Sequence, residues 1–427
     1  MDVMNLLPQL AHVALALTTV LLIAWAGRGV ARLLRQPAVI GEIVAGLLAG
    51  PVALALLGPA AFDTVLPGPV FDTLKLIAQA GLVLFLVGLA HKLQAGPGAP
   101  ARRSTVWVAA GALIPPLLTG VLLACLVLLT DDDAARGSAP LPAFILMVAV
   151  SMSITAVPVM ARILADRGMN ESVVGRLALA SSIVIDAVGW LLLTLAISLR
   201  AGDLAGSLHS VRALAVGAVC VLVIRYGLGT RTARKACERR PRTMAALLGA
   251  AALGVALAME HLGMTAILGA ALVGLAIPGD TKAPWARAVD TISRTGRALA
   301  PAFFVVTGIT VLNGAFSQAS WTLTGAAVVL ACVGKGLGGY FGARLGGQSP
   351  GTARRIGVLM NTRGLTELIV LQAGYSAGIL TAPLVLALVV MALTTTAMTG
   401  PLLGVLDRRE SHPATGKVAV ATEGSAR

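Results

Sequence analysis

Long apolar runs, broken only by short polar and basic punctuation, organise this chain from residue 10 to residue 406. The runs fall at 10–27, 38–57, 74–90, 105–129, 142–164, 174–199, 210–228, 243–259, 263–278, 299–312, 322–344, 355–377 and 381–406. A helix rises about 1.5 Å per residue, so about 20 residues cross a hydrocarbon core about 30 Å thick. The pattern predicts thirteen membrane-spanning helices. The stretches at 263–278 and 299–312 are short for that thickness and are expected to be extended, tilted or partly re-entrant. The first stretch has no basic segment before it and twelve more follow, so it reads as a retained helix and not a cleaved signal.

Composition agrees: 57% of residues are hydrophobic and 12% charged, with a mean hydropathy of +0.88. A water-soluble domain could not solvate its surface with so few charges. The net charge of +14 does not call for nucleic acid, because the positions of the basic residues explain it. When loops are assigned alternately to two sides, one side holds 27 of the 33 Lys and Arg, against Lys75, Arg136, Arg200 and Arg212 on the other. Basic loops stay cytoplasmic, which places the N-terminus outside and the C-terminus inside, in a cell inner or plasma membrane. The densest basic loop, Arg225 to Arg242, reads mainly as a topology determinant, with contact to anionic lipid heads as a second reading. Cys125, Cys220, Cys237 and Cys332 show no paired spacing, so neither a disulfide framework nor a metal framework is expected.

If spans 1–6 (residues 1–199) form one repeat and spans 8–13 (243–406) a second, corresponding spans differ by seven and are inverted in the membrane. Residues 200–242 are then a linker span with its basic loop, and 407–427 a short cytoplasmic tail. Span 5 reads SMSITAVPVMARIL around Pro158, and its counterpart, span 12, reads NTRGLTELIVLQAG around Arg363 and Gly364. Proline removes a backbone donor, and Ser, Thr and Gly ease the chain out of helical geometry, so both spans are expected to break. Interrupted spans at corresponding positions point to a midplane ion site.

Five charged residues remain inside the spans: Glu42, Asp186, Lys335, Arg363 and Glu367. Each costs about 3 kcal/mol at the centre of an isolated helix on insertion scales, so each needs a partner or a function. Asp186, in SSIVIDAVGW, is the deepest acid. A carboxylate there holds a proton or a dehydrated alkali cation, and competition for one site couples the two. Ser182 precedes it by one turn and shares its face. Lys335, in CVGKGLGGYFGARL, has no acid on its own helix, so Asp186 is its expected partner, in a coupling role or as a structural clamp. Arg363 and Glu367 are spaced i,i+4 and read first as a structural pair. Glu42 lies just inside the cytoplasmic end of span 2, where it lines an entry funnel or snorkels to the interface.

At these residues the chain resembles the monovalent cation/proton antiporters, in particular the second family, which includes potassium-efflux systems, sodium/proton exchangers and plant and fungal cation/proton exchangers. The matching stretches are QPAVIGEIVAGLLAGP, SITAVPVMARIL, SSIVIDAVGW, TAILGAALVGLAIP, PAFFVVTGI, GKGLGG and NTRGLTELIVL, spread over residues 36 to 370. The resemblance implies an all-α membrane fold with two crossed broken helices, a homodimer, and a core that moves against a dimerisation half. It implies that Asp186 is the ion-binding aspartate, that Thr155 and Ser182 add cation ligands, and that Lys335 is the lysine paired with the aspartate. Arg363 and Glu367 match the charged turn of the second broken helix. Many electrogenic relatives carry two adjacent acids where this chain has Ile185 and Asp186, so one-for-one, electroneutral exchange of H⁺ for Na⁺ or K⁺ is expected, with an electrogenic cycle as the alternative if Lys335 also releases its proton.

No enzyme chemistry, catalytic residue or cofactor is expected. The alternatives are a sodium-coupled organic-anion symporter of similar fold, which the scarcity of Asn and Gln around the breaks disfavours, and a metabolite/proton antiporter. A channel would need a carbonyl filter, and an intramembrane aspartyl protease two facing acids.

Overall fold

Backbone amides have no water to bond in hydrocarbon, so an apolar chain of this kind satisfies them within helices, and the described residues contain no strand. The computed structural model describes residues 3–34, 36–58, 64, 66–95, 102–130, 133–202, 205–278, 284–311 and 320–411; the tail beyond 411 lies outside them. The main helices are α1 (Val3–Leu33), α2 (Ala38–Leu57), α3 (Gly68–Ala95), α4 (Arg102–Leu129), α5 (Leu141–Ser153), α6 (Val157–Asp166), α7 (Val173–Ala201) and α8 (Ala205–Gly229). They continue as α9 (Arg231–Arg239), α10 (Pro241–His261), α11 (Ala266–Ala276), α12 (Trp285–Val311), α13 (Trp321–Leu345), α14 (Pro350–Met360), α15 (Leu365–Ser376) and α16 (Ala382–Ser411). Among the described residues nine helical segments are long and apolar enough to cross a membrane. Bulky apolar side chains cover the outside, with Trp25 72% and Trp321 74% exposed, an exterior suited to lipid and not to water.

Several elements depart from the sequence expectation in their ends. The stretch expected at 299–312 extends back to Trp285 because its first half is amphipathic and carries charges on one side. The basic segment 162–176 is not all loop: α6 runs to Asp166 and carries Arg162 inside the protein. The loop expected at 225–242 holds a nine-residue amphipathic helix, α9, whose N-cap Thr230 accepts a hydrogen bond from the Ala233 amide.

The helices pack in two groups. One joins α1, α2, α3, α8, α10, α11 and α12; the other joins α4, α5, α6, α7, α13, α14, α15 and α16. Across the seam α6 meets α2 and α3, α16 meets α2, α12 meets α15 and α7 meets α11 through few contacts, whereas α7 and α8 lie side by side.

Small residues allow the closest approaches, since helix association in lipid relies on packing and not on the hydrophobic effect. A Cβ on Gly111 of α4 would lie 2.4 Å from the Gly338 carbonyl oxygen and 2.7 Å from Gly342 Cα of α13. That contact lays α13 against α4 at the level of Lys335.

Candidate functional site

Both expected breaks form, and they lie against each other. Between α5 and α6 the chain is extended at Ile154 and Ala156, which have ψ 144° and 94°. Pro158 is not the break itself. It sits in the first turn of α6, where its missing N–H costs nothing, so it starts the second half-helix. Between α14 and α15 the chain leaves the helix over Asn361 to Gly364. Gly364 has φ +155°, and a Cβ there would meet Val159 Cγ2 at 2.7 Å, so the turn needs glycine. The Ala156 amide donates to the Thr362 carbonyl at 3.3 Å, joining the two breaks directly.

A half-helix that ends inside a membrane leaves carbonyls unbonded, and their dipole favours cations. The last four carbonyls of α5 are all satisfied. Val150 O accepts from the Ile154 amide at 3.2 Å. Ser151 O accepts from Arg363 Nη1 at 3.0 Å, and Met152 O from Arg363 Nη2. Ser153 O accepts from Lys335 Nζ. Lys335 also donates to Ala112 O at 3.0 Å and to Thr155 Oγ1 at 2.5 Å. An ammonium has three N–H groups, and here they have three acceptors.

This arrangement corrects the expected Lys335 and Asp186 pair: among the described residues Lys335 makes no ion pair with Asp186. The break at Ile154 supplies oxygens that outcompete the aspartate, because the carbonyls of a severed helix are fixed, close and otherwise unbonded. Lys335 lies in a π-helical turn, Val333–Leu337, within α13, a local widening frequent at functional positions.

Arg363 forms the expected pair with Glu367, Nη1 to Oε1 at 3.0 Å, with both side chains fully buried. Thr396 of α16 grips the same turn: its Oγ1 accepts from the Arg363 amide and donates to the Arg363 carbonyl, each at 2.8 Å. Sequence reading passed over Thr396, although the run TTTAMT in a span was a usable signal.

Asp186 lies on α7 beside the first break. One turn before it, Ser182 Oγ reaches Met160 Sδ of α6 at 3.4 Å and the Ala178 carbonyl at 2.9 Å. One turn after, Gly189 abuts Ile154, where a Cβ would come within 2.9 Å of Ile154 Cγ1. Asp186 is buried at 1% exposure, and neither carboxylate oxygen has a hydrogen-bond partner among the described residues. The indole of Trp190, one turn on, comes near without meeting hydrogen-bond geometry. Ile185 beside it is fully buried. The site therefore combines a bare buried carboxylate with the severed end of α5, whose carbonyls already hold Lys335 and Arg363. Thr155, buried at the break, gives its hydroxyl oxygen to Lys335.

Glu42 neither snorkels nor lines an open funnel. It is fully buried, and its Oε1 accepts from Arg28 Nη2 at 2.7 Å and Nε at 3.0 Å, with Arg162 Nη2 at 3.5 Å. Two arginines from neighbouring helices make burial of the acid affordable in energy. Sequence reading missed both, because they were counted as loop charges.

Residues 17–406 match the family described as sodium/hydrogen exchanger, transmembrane. The chain is 31% identical over 377 residues to the Na(+)/H(+) antiporter NhaS4 of Synechocystis sp., covering 86% of this chain and 90% of that protein. It is 33% identical over 391 residues to Cation/H(+) antiporter 20 of Arabidopsis thaliana, and 27% identical over 380 residues to K(+)/H(+) antiporter 1 of Saccharomyces cerevisiae. These matches cover 86% and 87% of this chain, but only 45% and 43% of the plant and yeast proteins. Its fold is similar to that of the sodium proton antiporter MjNhaP1 from Methanocaldococcus jannaschii, with a TM-score of 0.62 at 16% identity over 99% of this chain and all of that one. With the apolar helices and the crossed breaks, these likenesses establish a multi-pass membrane protein, and the chain belongs to the sodium/hydrogen exchanger family.

Proposed function

We propose that this protein exchanges protons for a monovalent cation, Na⁺ or K⁺, by exposing Asp186 alternately to the two sides of the membrane. The observation that carries this reading is the buried carboxylate with two unpartnered oxygens beside a helix break. A bare carboxylate sealed from water needs a proton or a cation, and it takes one at a time. Competition for that one group is antiport. Family membership and the names of the relatives, Na(+)/H(+) and K(+)/H(+) antiporters, support the same reading. As further oxygen ligands we take Ser182 Oγ, one turn before Asp186, and Thr155 Oγ1 at the break, which also accepts from Lys335. The ion is a substrate that passes through, and no cofactor enters the cycle. The test is proton flux in reconstituted vesicles with Li⁺, Na⁺, K⁺ and Rb⁺ at several pH values. Proton movement that responds to none of them rejects the function.

Lys335 supports a one-for-one cycle. Its three N–H groups are held by three oxygens that do not belong to Asp186, so a cation arriving at the aspartate has no ion pair to break and no reason to expel the lysine proton. Exchange of one proton for one monovalent cation moves no net charge. With sodium or lithium as substrate and a potential clamped by valinomycin and potassium, the rate is expected to stay flat with voltage. Steep acceleration that Lys335→Gln removes, while exchange continues, would make the lysine a second proton carrier and the cycle electrogenic.

The basic bias places the N-terminus outside and the C-terminus in the cytoplasm, and we take the protein as a homodimer with inverted repeats at 1–199 and 243–406. For orientation, Ser138→Cys is expected to react with an impermeant thiol reagent from outside, and Thr232→Cys only from inside, each above the background of the four native cysteines. Reversed labelling would overturn the orientation.

A further inference from the structure

Among the described residues the seam between the two helix groups is crossed by one ion pair that is buried. Glu42 of α2 is fully buried, and Arg162 of α6 is 7% exposed. The two approach at 3.5 Å, yet each has another partner within its own group. Glu42 holds Arg28 of α1 at 2.7 Å, and Arg162 lies 3.4 Å from Asp166, one turn along α6. Glu42 Oε2 has no hydrogen-bond partner among the described residues. A cavity of about 270 Å³ lies on the same seam, with Gln36, Pro37 and Ala38 on one wall and Ile163, Asp166 and Arg167 on the other. Lys92 and Glu171 also pair at 3.6 Å, but both are well exposed, and water screens such a pair.

We infer that Arg162 is a latch residue for the proposed transport cycle: it holds the seam closed through Glu42 and, when the seam opens, passes to Asp166 while Glu42 stays with Arg28. The inference rests on the antiport reading, since one buried site served from two sides requires one body to move against another. Separating a buried ion pair is normally costly because it strands two charges. Here neither charge is stranded. The seam contact at 3.5 Å and the contact of Arg162 to Asp166 at 3.4 Å are alike in length, and Glu42 keeps its 2.7 Å contact to Arg28 in either case, so the exchange of partners is close to balanced, as a two-state element requires.

Removing the seam partner and removing the fallback partner therefore act in opposite directions. Arg162→Gln unlatches the seam, and Asp166→Asn leaves Arg162 with Glu42 alone. Apparent affinity scales with the fraction of protein open to the side of addition. In everted vesicles the KM for the cation is expected to fall by roughly threefold to tenfold in Arg162→Gln and to rise by a similar factor in Asp166→Asn. A merely structural cluster would move both variants the same way or neither, and that result overturns the latch. A second measurement does not need activity: Gln36→Cys in the seam is expected to react faster with a neutral maleimide in Arg162→Gln and slower in Asp166→Asn. Loss of a nearby positive charge by itself slows a thiol and loss of a negative charge speeds it, so local charge acts against both expectations. Asp166 is partly exposed, so Asp166→Asn tests the latch even where Arg162→Gln fails to fold. An unmodified protein that moves no cation sinks the antiport reading, whereas labelling that ignores both substitutions sinks the latch.

Discussion

Asp186→Asn abolishes cation-dependent proton movement while leaving the protein folded. The amide keeps the shape of the acid but cannot give up a proton at any accessible pH, and it brings no charge to a dehydrated cation. Folding is expected to survive because the carboxylate contributes no hydrogen bond that the substitution would break; an amide without partners is no harder to bury than a bare carboxylate. The measurement is proton flux on addition of Na⁺ or K⁺, alongside the melting temperature and elution profile of the purified variant. Exchange at a near unmodified rate would show that another group carries the ion. Glu367 is the obvious competitor, being fully buried near the second break with Oε2 unpartnered, but it already shares its other oxygen with Arg363.

Arg363→Met destabilises the protein by about 3 kcal/mol or more, the range for breaking a buried ion pair by removing one partner. The methionine fills much of the space but leaves Ser151 O and Met152 O without donors and Glu367 without its cation. The melting temperature of the detergent-solubilised protein measures the loss. Arg363→Met with Glu367→Gln is expected to recover part of it, because the stranded charge is gone while the two carbonyls remain unbonded. A single variant as stable as the parent would mean that the end of α5 is satisfied some other way and that the crossing of the breaks does not depend on Arg363.

Much of this protein is legible without a structure. Length and apolarity of the runs specify helices, because hydrocarbon leaves the backbone no alternative. The depth and isolation of Asp186 mark it as the residue needing explanation, and the i,i+4 spacing of Arg363 and Glu367 foretells a pair that does form. Pro158 and Gly364 signal breaks, although the proline begins a half-helix where it was expected to interrupt one.

The sequence by itself determined the lipid setting, the helical class, the two interruptions and the identity of the central acid, since each depends on local composition and on distances along one chain. Only the tertiary structure decided who partners whom. Lys335 turns to Ser153, Ala112 and Thr155 and not to Asp186, and Glu42 lies between Arg28 and Arg162. Except for Arg28 with Glu42, those choices join helices far apart in sequence, and the physical reason is competition. A buried cation goes to whichever fixed oxygens a neighbouring backbone presents, and a severed helix end presents them only once the two breaks have crossed.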